Sequence, residues 1–242
     1  MPGSPDLEGK IAVVTGGSGA IGQSIVHTLT TAGAQAFSID TAAPKDSGIP
    51  WIECDVRDDA SVRKAVRDVA SRHGGVDVAV HAAGVSRDAV VWKLSPEDWD
   101  FIQSVNLRGA FLLIRHSLPL MRTRGAGRII LIGSINGSRG RFGTAAYSAS
   151  KAGLLGLAKT VAREAGRFGI RINVIEPGSV RTPLTESVPR TIRDAALAES
   201  LVGSFVEPGD IGNAVAFLCG SGGERITGQI LRVDGGQFLG PT

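Results

Sequence analysis

Short runs of consecutive apolar, β-branched residues alternate along this chain with longer stretches in which apolar residues recur every three or four positions. The first pattern reads as strands buried on both faces, the second as amphipathic helices. Lys10–Thr15 (KIAVVT), Ala34–Ile39 (AQAFSI), Trp51–Cys54 (WIEC), Val76–Val80 (VDVAV), Ile129–Ile132, Ile170–Ile175 (IRINVI) and Gln229–Val233 are the predicted strands. Helices are predicted over 21–33, 58–73, 145–165 and 209–219, with a long one opened by Ser95-Pro96-Glu97-Asp98. There Ser95 suits the N-cap, Pro96 the first helical position and the acids the first turn. Residues 183–207 are mixed, with the helix-like TIRDAALAESL between turn signals, and read as a substrate lid. The alternation predicts an α/β fold: a doubly wound parallel sheet with helices on both faces, in one domain over residues 1–242.

Ligands of such sheets sit beyond the carboxyl ends of the strands. Thr15, Asp40, Asp55, Gly84 and Ser134 all fall at predicted strand ends. After the first strand comes Gly16-Gly17-Ser18-Gly19-Ala20-Ile21-Gly22, in which Gly17, Gly19 and Gly22 satisfy G-x-G-x-x-G between a strand and a helix. Such glycines let backbone approach a pyrophosphate, and the helix N-terminus offers free N–H groups. Asp40 ends the second strand at the distance where an acid meets adenosine ribose hydroxyls, and its charge would repel a 2′-phosphate. No basic residue at Ser18 or Thr41 offsets it, so NAD(H) is expected over NADP(H). Asp55, followed by Val56, either approaches the adenine edge or caps the helix 58–73. The small residues Ala82, Ala83 and Gly84 leave room for a cofactor, and His81 reads as a packed core histidine.

The reacting groups are expected between Ser134 and Lys151. Tyr147 and Lys151 are four apart and share one face of a helix, where an ammonium beside a phenol favours the phenolate. Ser134, at a strand end facing that helix, can hold a substrate oxygen beside the phenol. Asn106 lies in an apolar stretch and needs a partner: it either holds a water in a proton relay or bonds to neighbouring backbone. Pro177-Gly178 ends the sixth strand, and its turn can present backbone groups and the Thr182 hydroxyl to a ligand amide.

Composition narrows the classes further. Hydrophobic residues make up 43% and charged residues 20% of the 242, an ordinary globular balance. The net charge is +3, with arginines and acids interspersed, so nothing points to nucleic acid. Cys54 and Cys219 match no metal-ligand or disulfide spacing, and no metal is expected. No apolar stretch reads as a signal peptide or a membrane span, and a cytoplasmic protein is expected.

The ordered stretches TGGSGAIG, Asp40, Asp55-Val56, HAAG, Asn106, Ser134, YSASK, Pro177-Gly178 with Thr182, and ITGQILRVDGG together resemble a short-chain dehydrogenase/reductase of the single-domain type. The likeness covers nearly the whole chain. Ala20 stands where the family's glycine loop has its middle glycine, and His81-Ala82-Ala83-Gly84 replaces N-N-A-G. The resemblance implies a seven-stranded Rossmann-like sheet and hydride transfer between a nicotinamide and a carbonyl or secondary alcohol. It implies that Tyr147 is the acid or base and that Lys151 lowers its pKa and binds the nicotinamide ribose. Ser134 would then bond the substrate oxygen, and Asn106 would support a water linking Lys151 to solvent. Val180 backbone and Thr182 would hold the carboxamide, and a homotetramer is implied.

Within the family, AGVSRDAVVWKLSPEDWDFIQSVN is similar to 3-oxoacyl-thioester reductases, whose substrates ride on coenzyme A or a carrier protein. Many of these prefer NADPH, against which Asp40 argues here. An NAD-linked dehydrogenase of a cyclic or other secondary alcohol is the alternative, and a non-catalytic dinucleotide sensor a reading of another class. Arg122, Arg124, Arg128, Arg139, Arg141, Arg167 and Arg171 either meet a carrier's acidic surface or coenzyme A phosphates, or are solvated surface charge.

Overall fold

The computed structural model describes residues 6–46, 48–186 and 188–240. Seven strands, β1 (Ile11–Thr15), β2 (Gln35–Asp40), β3 (Trp51–Glu53), β4 (Val78–His81), β5 (Gly127–Ile132), β6 (Ile170–Pro177) and β7 (Ile230–Val233), form one parallel sheet. Their order is β3-β2-β1-β4-β5-β6-β7, so the winding reverses between β1 and β4. The crevice beyond the strand ends opens there.

Successive side chains of a strand point to opposite faces, and that alternation splits the core in two. Val13, Ala79, Ile129, Leu131, Ile172 and Val174 face α2 (Asp59–His73), α4 (Gly109–Arg124) and α6 (Ala145–Ala165). Ala12, Val14, Val80, Ile130, Ile132 and Ile175 face α1 (Ala20–Thr31) and α9 (Pro208–Cys219). Every residue of β1 is buried, as the unbroken apolar run required. Three short helices lie among the described residues as well: α5 (Ile135–Arg139), α7 (Pro183–Glu186) and α8 (Arg190–Ala198). Among the described residues no helix is long and apolar enough to cross a membrane.

The helix opened by Ser95 begins as expected, with α3 (Pro96–Gln103) capped by the Ser95 side chain on Asp98 N. It does not run straight on. Residues 104–108 form a π-helical turn before α4, and Asn106 sits inside it. The helix after β3 is capped by Asp58, whose carboxylate accepts from Ser61 N at 2.8 Å, so the capping alternative for Asp55 falls to its neighbour. The predicted lid over 183–207 holds α7 and α8; Ser187 lies outside the described residues.

Because β4 extends one residue past the predicted end, His81 is a strand residue and is fully buried. Its Nδ1 shares a hydrogen bond with Thr15 Oγ1 at 2.9 Å across the β1–β4 junction. Burial, with the Lys151 charge adding to it, drops its pKa to about 3. The fold therefore holds the neutral ring, while the unfolded chain takes up a proton below about 6.5. The stabilisation is complete above 6.5 and is lost as the pH falls towards 3, on the order of 4–5 kcal/mol in all. Urea unfolding should show about 2 kcal/mol lost from this group between pH 7 and pH 5. His81→Asn should show a distinctly shallower loss; equal slopes would remove His81 as the cause.

Candidate active site

The crevice has two connected parts. A cavity of about 330 Å³ lies beyond β1, β2 and β3, walled by Gly16, Gly19, Asp40, Asp55, Val56 and Ala83. A second, of about 340 Å³, lies beyond β4, β5 and β6 and holds Ser134, Tyr147, Lys151, Pro177, Gly178 and Thr182. Ala82 and Gly84 line both, which makes the end of β4 the bridge between them.

The glycine loop is shaped by contact with its own scaffold. Gly16 has φ +68°, and a Cβ there would lie 2.5 Å from Ala83 N. A Cβ on Gly22 would collide with the Gly16 carbonyl, and one on Gly17 would come 2.6 Å from Ser38 Oγ. Gly19, the N-cap of α1, has only the Gly16 carbonyl near it, at 3.4 Å. Packing thus demands three of the glycines, and Gly19 is the one left facing the cleft, with Ala20 starting the helix and Ile21 lining the second cavity. Ser18 fastens the loop outward, donating from Oγ to Ala42 O at 2.6 Å.

Asp40 holds this loop and also borders the cavity. Its carboxylate accepts from Ser18 N at 3.1 Å and from Thr41 N at 2.7 Å. Asp55 receives a bidentate guanidinium from Arg57, with Nε at 3.0 Å and Nη2 at 2.6 Å, and that bond holds its carboxyl below the usual range. Arg57 is a residue that sequence reasoning missed: only positions 18 and 41 were read for a cation, yet Arg57 walls the same cavity as Asp40.

On the reaction side, β5 delivers Ser134 just past its end, where it also caps α5 by accepting from Asn136 N at 3.2 Å. α6 brings Tyr147 and Lys151 to the same cavity, one turn apart. Lys151 is buried, and Nζ donates to the Ile132 carbonyl at 2.8 Å while standing 5.7 Å from the Tyr147 ring centre. Burial lowers its pKa to about 8. The phenol departs from expectation. Burial raises its pKa, the Ser134 side chain beside it pulls down only in part, and Asp88 adds a push upward. The lysine charge is turned towards the strand carbonyl, so desolvation outweighs it here.

Asn106 spends its side chain on protein partners. Oδ1 accepts from Val85 N at 2.8 Å, and Nδ2 donates to Val85 O at 3.0 Å and Ser150 Oγ at 2.9 Å. That matches the backbone-bonding alternative and ties the end of β4 to α6 beside Lys151. Gly84 completes the fit, since a Cβ there would lie 3.2 Å from Lys151 Nζ. Beyond β6, Val180 is buried; its carbonyl accepts from Thr185 Oγ1 at 2.8 Å, and the same hydroxyl accepts from Thr182 N at 2.8 Å. All the residues read from the sequence as site residues thus line the crevice or support its walls. Asp88, Arg139 and Gln237 line it too and were not foreseen there; Gln237 follows the recognised Asp-Gly-Gly, the one sequence signal that could have found it.

Known proteins resemble the chain along almost all of this architecture. A family model described as enoyl-(acyl carrier protein) reductase matches residues 17–237. The 3-oxoacyl-[acyl-carrier-protein] reductase FabG of Escherichia coli is 36% identical, covering 97% of this chain and 99% of its own. The acetoacetyl-CoA reductase of a Synechocystis species is 38% identical over 95% and 96% of the two chains. Among solved structures, the aldohexose dehydrogenase of Thermoplasma acidophilum superposes with a TM-score of 0.92 at 28% identity, covering 98% of this chain and 97% of its own. With a family model over most of its length and relatives of 36% and 38% identity matched almost end to end, the chain belongs to the short-chain dehydrogenase/reductase family of oxidoreductases.

Proposed function

We propose that the chain reduces the 3-oxo group of an acyl thioester, carried on coenzyme A or a carrier protein, with NAD(H) as the preferred nicotinamide. The observation that carries this reading is the meeting of Ser134, Tyr147 and Lys151 at one wall of a cavity that joins the glycine-loop cavity. The thioester comes from the relatives, two of which are named for 3-oxoacyl and acetoacetyl substrates. The residues fit a dinucleotide: small side chains bridge the cavities at the end of β4, and Gly19 leaves open space at the start of a helix.

The nicotinamide supplies the hydride in reduction and accepts it in oxidation. In reduction Tyr147 gives its proton to the substrate oxygen, which Ser134 Oγ holds by a hydrogen bond. A phenol kept above its ordinary pKa is fully protonated at neutral pH, the form needed for donation. Lys151, at about 8, is the stronger acid of the pair, so it can return a proton to a phenolate left behind. Lys151 also binds the nicotinamide ribose in this reading, with Asn106 holding the backbone that frames it. Both amide hydrogens of Asn106 go to protein partners, so a relay water beside Lys151 would be held by the free lone pair of Asn106 Oδ1 or by the backbone of the widened turn. Val180 backbone and Thr182 take the carboxamide. Tyr147→Phe should cut kcat roughly 10²–10⁴-fold while dinucleotide affinity stays within a few-fold. Undiminished turnover would sink the mechanism.

Asp40 supports NAD, since a 2′-phosphate would meet its charge at the cavity wall. Arg57 favours the second reading, NADP, because it walls the same cavity and could turn from Asp55 to a phosphate. Initial rates with a short 3-oxoacyl-CoA and each cofactor decide between them. We expect NADH to dominate, and Asp40→Ala to narrow the preference about tenfold. NADPH dominance abolished by Arg57→Ala would establish the alternative. Turnover with neither cofactor would redirect the search to cyclic and other secondary alcohols.

We also propose a homotetramer. Exposed apolar side chains in two places support it: Phe111 on α4 with Leu107 of the π-helical turn and Leu157 on α6, and, elsewhere, Phe217 on α9 and Leu231 on β7. Two different self-complementary patches are what a four-copy assembly with crossed two-fold axes needs. Light scattering should give four times the 25.1 kDa chain mass, and Phe111→Glu should give dimers or monomers. An unchanged mass in that variant would refute the first patch.

A further inference from the structure

The wall of the reaction cavity opposite Tyr147 is held by a charged network that none of the proposed roles uses. Gln237 is buried, and its Oε1 accepts from Ser179 N at 2.7 Å, in the loop just beyond Pro177-Gly178. Its Nε2 donates to Ser179 Oγ at 3.1 Å and to Glu199 Oε2 at 3.0 Å. Glu199 lies immediately after α8 and takes a second donor, Arg139 Nη2, on the same oxygen at 2.8 Å. Arg139 closes the ring by donating from Nη1 to the Gln237 carbonyl at 3.1 Å. Residues from the α5 end, the lid, the loop after β6 and the turn after β7 are thereby joined through three side chains.

The backbone around them is built for the same docking. Gly235, at φ +60°, offers its carbonyl to Leu201 N at 2.9 Å and Val202 N at 3.2 Å, just past Glu199. Asp234 folds the turn back on itself, accepting from Gly236 N at 2.9 Å and Phe238 N at 2.8 Å. Partial burial works against the Glu199 charge, but Arg139 and Gln237 more than offset it and keep the carboxyl below its ordinary range.

We propose that Arg139, Glu199 and Gln237 form a latch that fixes the lid segment 188–207 against the loop after β6, making Glu199 and Gln237 positioning residues for dinucleotide and substrate. This rests on the proposed placing of a nicotinamide beside residues 177–182. No latch residue donates to the reacting oxygen; each acts through Ser179 or through α8. The amide of Gln237 is essential to the arrangement, because it alone presents a donor to Glu199 and an acceptor to Ser179 N at once.

Introducing a charge tests this without depending on turnover. Gln237→Glu sets two carboxylates face to face where an amide now donates, so the lid should release. Trypsin should then cut after Arg190 and Arg193, in α8, at least about tenfold faster than in the unaltered protein. The tighter of NADH and NADPH, followed by its fluorescence, should bind about tenfold more weakly. The double variant Glu199→Gln, Gln237→Glu exchanges donor and acceptor and should restore both readouts to within about twofold, because the pair is re-formed with its roles swapped. The latch is refuted if the single variant is cut no faster, or if the double variant stays as open as the single one. Should Gln237→Glu fail to fold, Glu199→Ala must show the same faster cleavage, and slow cleavage there refutes the latch equally. Normal latch behaviour in a protein that binds neither dinucleotide would instead overturn the nicotinamide reading.

Discussion

The bond from Lys151 Nζ to the Ile132 carbonyl sets the terms for the rest of the site. A buried ammonium is costly unless its hydrogens are met, and here the first is met by a group at the very end of a central strand. That anchor fixes α6 against β5, and the helix repeat then puts Tyr147 one turn earlier, over Ser134. It also explains the residues nearby. Gly84 is bare because any side chain would crowd the ammonium, and Asn106 is bonded to protein partners so that Val85 and Ser150 stay put. The same burial lowers the lysine and raises the phenol, so one constraint orders both acidities.

The framework was legible because its signals are local and repeated. Unbroken apolar runs such as Ile11–Val14 marked strands covered on both faces, and Asp40, Gly84 and Ser134 stood at their ends. The finer features were not, since they depend on neighbours distant in sequence. Asn106 sits in a π turn that helical periodicity cannot distinguish from a straight helix, as the extra residue alters one turn only. Asp58 and not Asp55 is the cap because it directly precedes the first helical residue, while Arg57 takes the Asp55 carboxylate in a bidentate grip. A lysine four residues from a phenol suggested a depressed phenol pKa; the carbonyl to which that lysine turns lies nineteen residues away and was invisible in the spacing. Within the lid, polar and apolar residues mix without a dominant period, and its position is decided by Gln237 and Gly235 from the other end of the sheet.

The two halves of the crevice follow different design rules. On the glycine-loop side the walls are backbone and small side chains, with charge confined to Asp40, Asp55 and Arg57 near the rim. Such a surface reads a ligand by shape and by a few hydrogen bonds. On the reaction side the wall is assembled from α5, α6 and the segments beyond β6 and β7, and Arg139, Ser179 and Gln237 on it are oriented by one another.

The strand order carries one more consequence. The crevice opens between β1 and β4, the centre of the sheet, but its far wall comes from β6 and the turn after β7 at one edge. The nucleotide half draws its walls from residues 16 to 105, most of them at the ends of the first four strands. The reacting half needs contacts spanning from residue 21 to residue 237, the slowest kind to close. Chemical competence is therefore a property of the finished fold, since the cavity around the reacting groups closes only when the turn after β7 is in place.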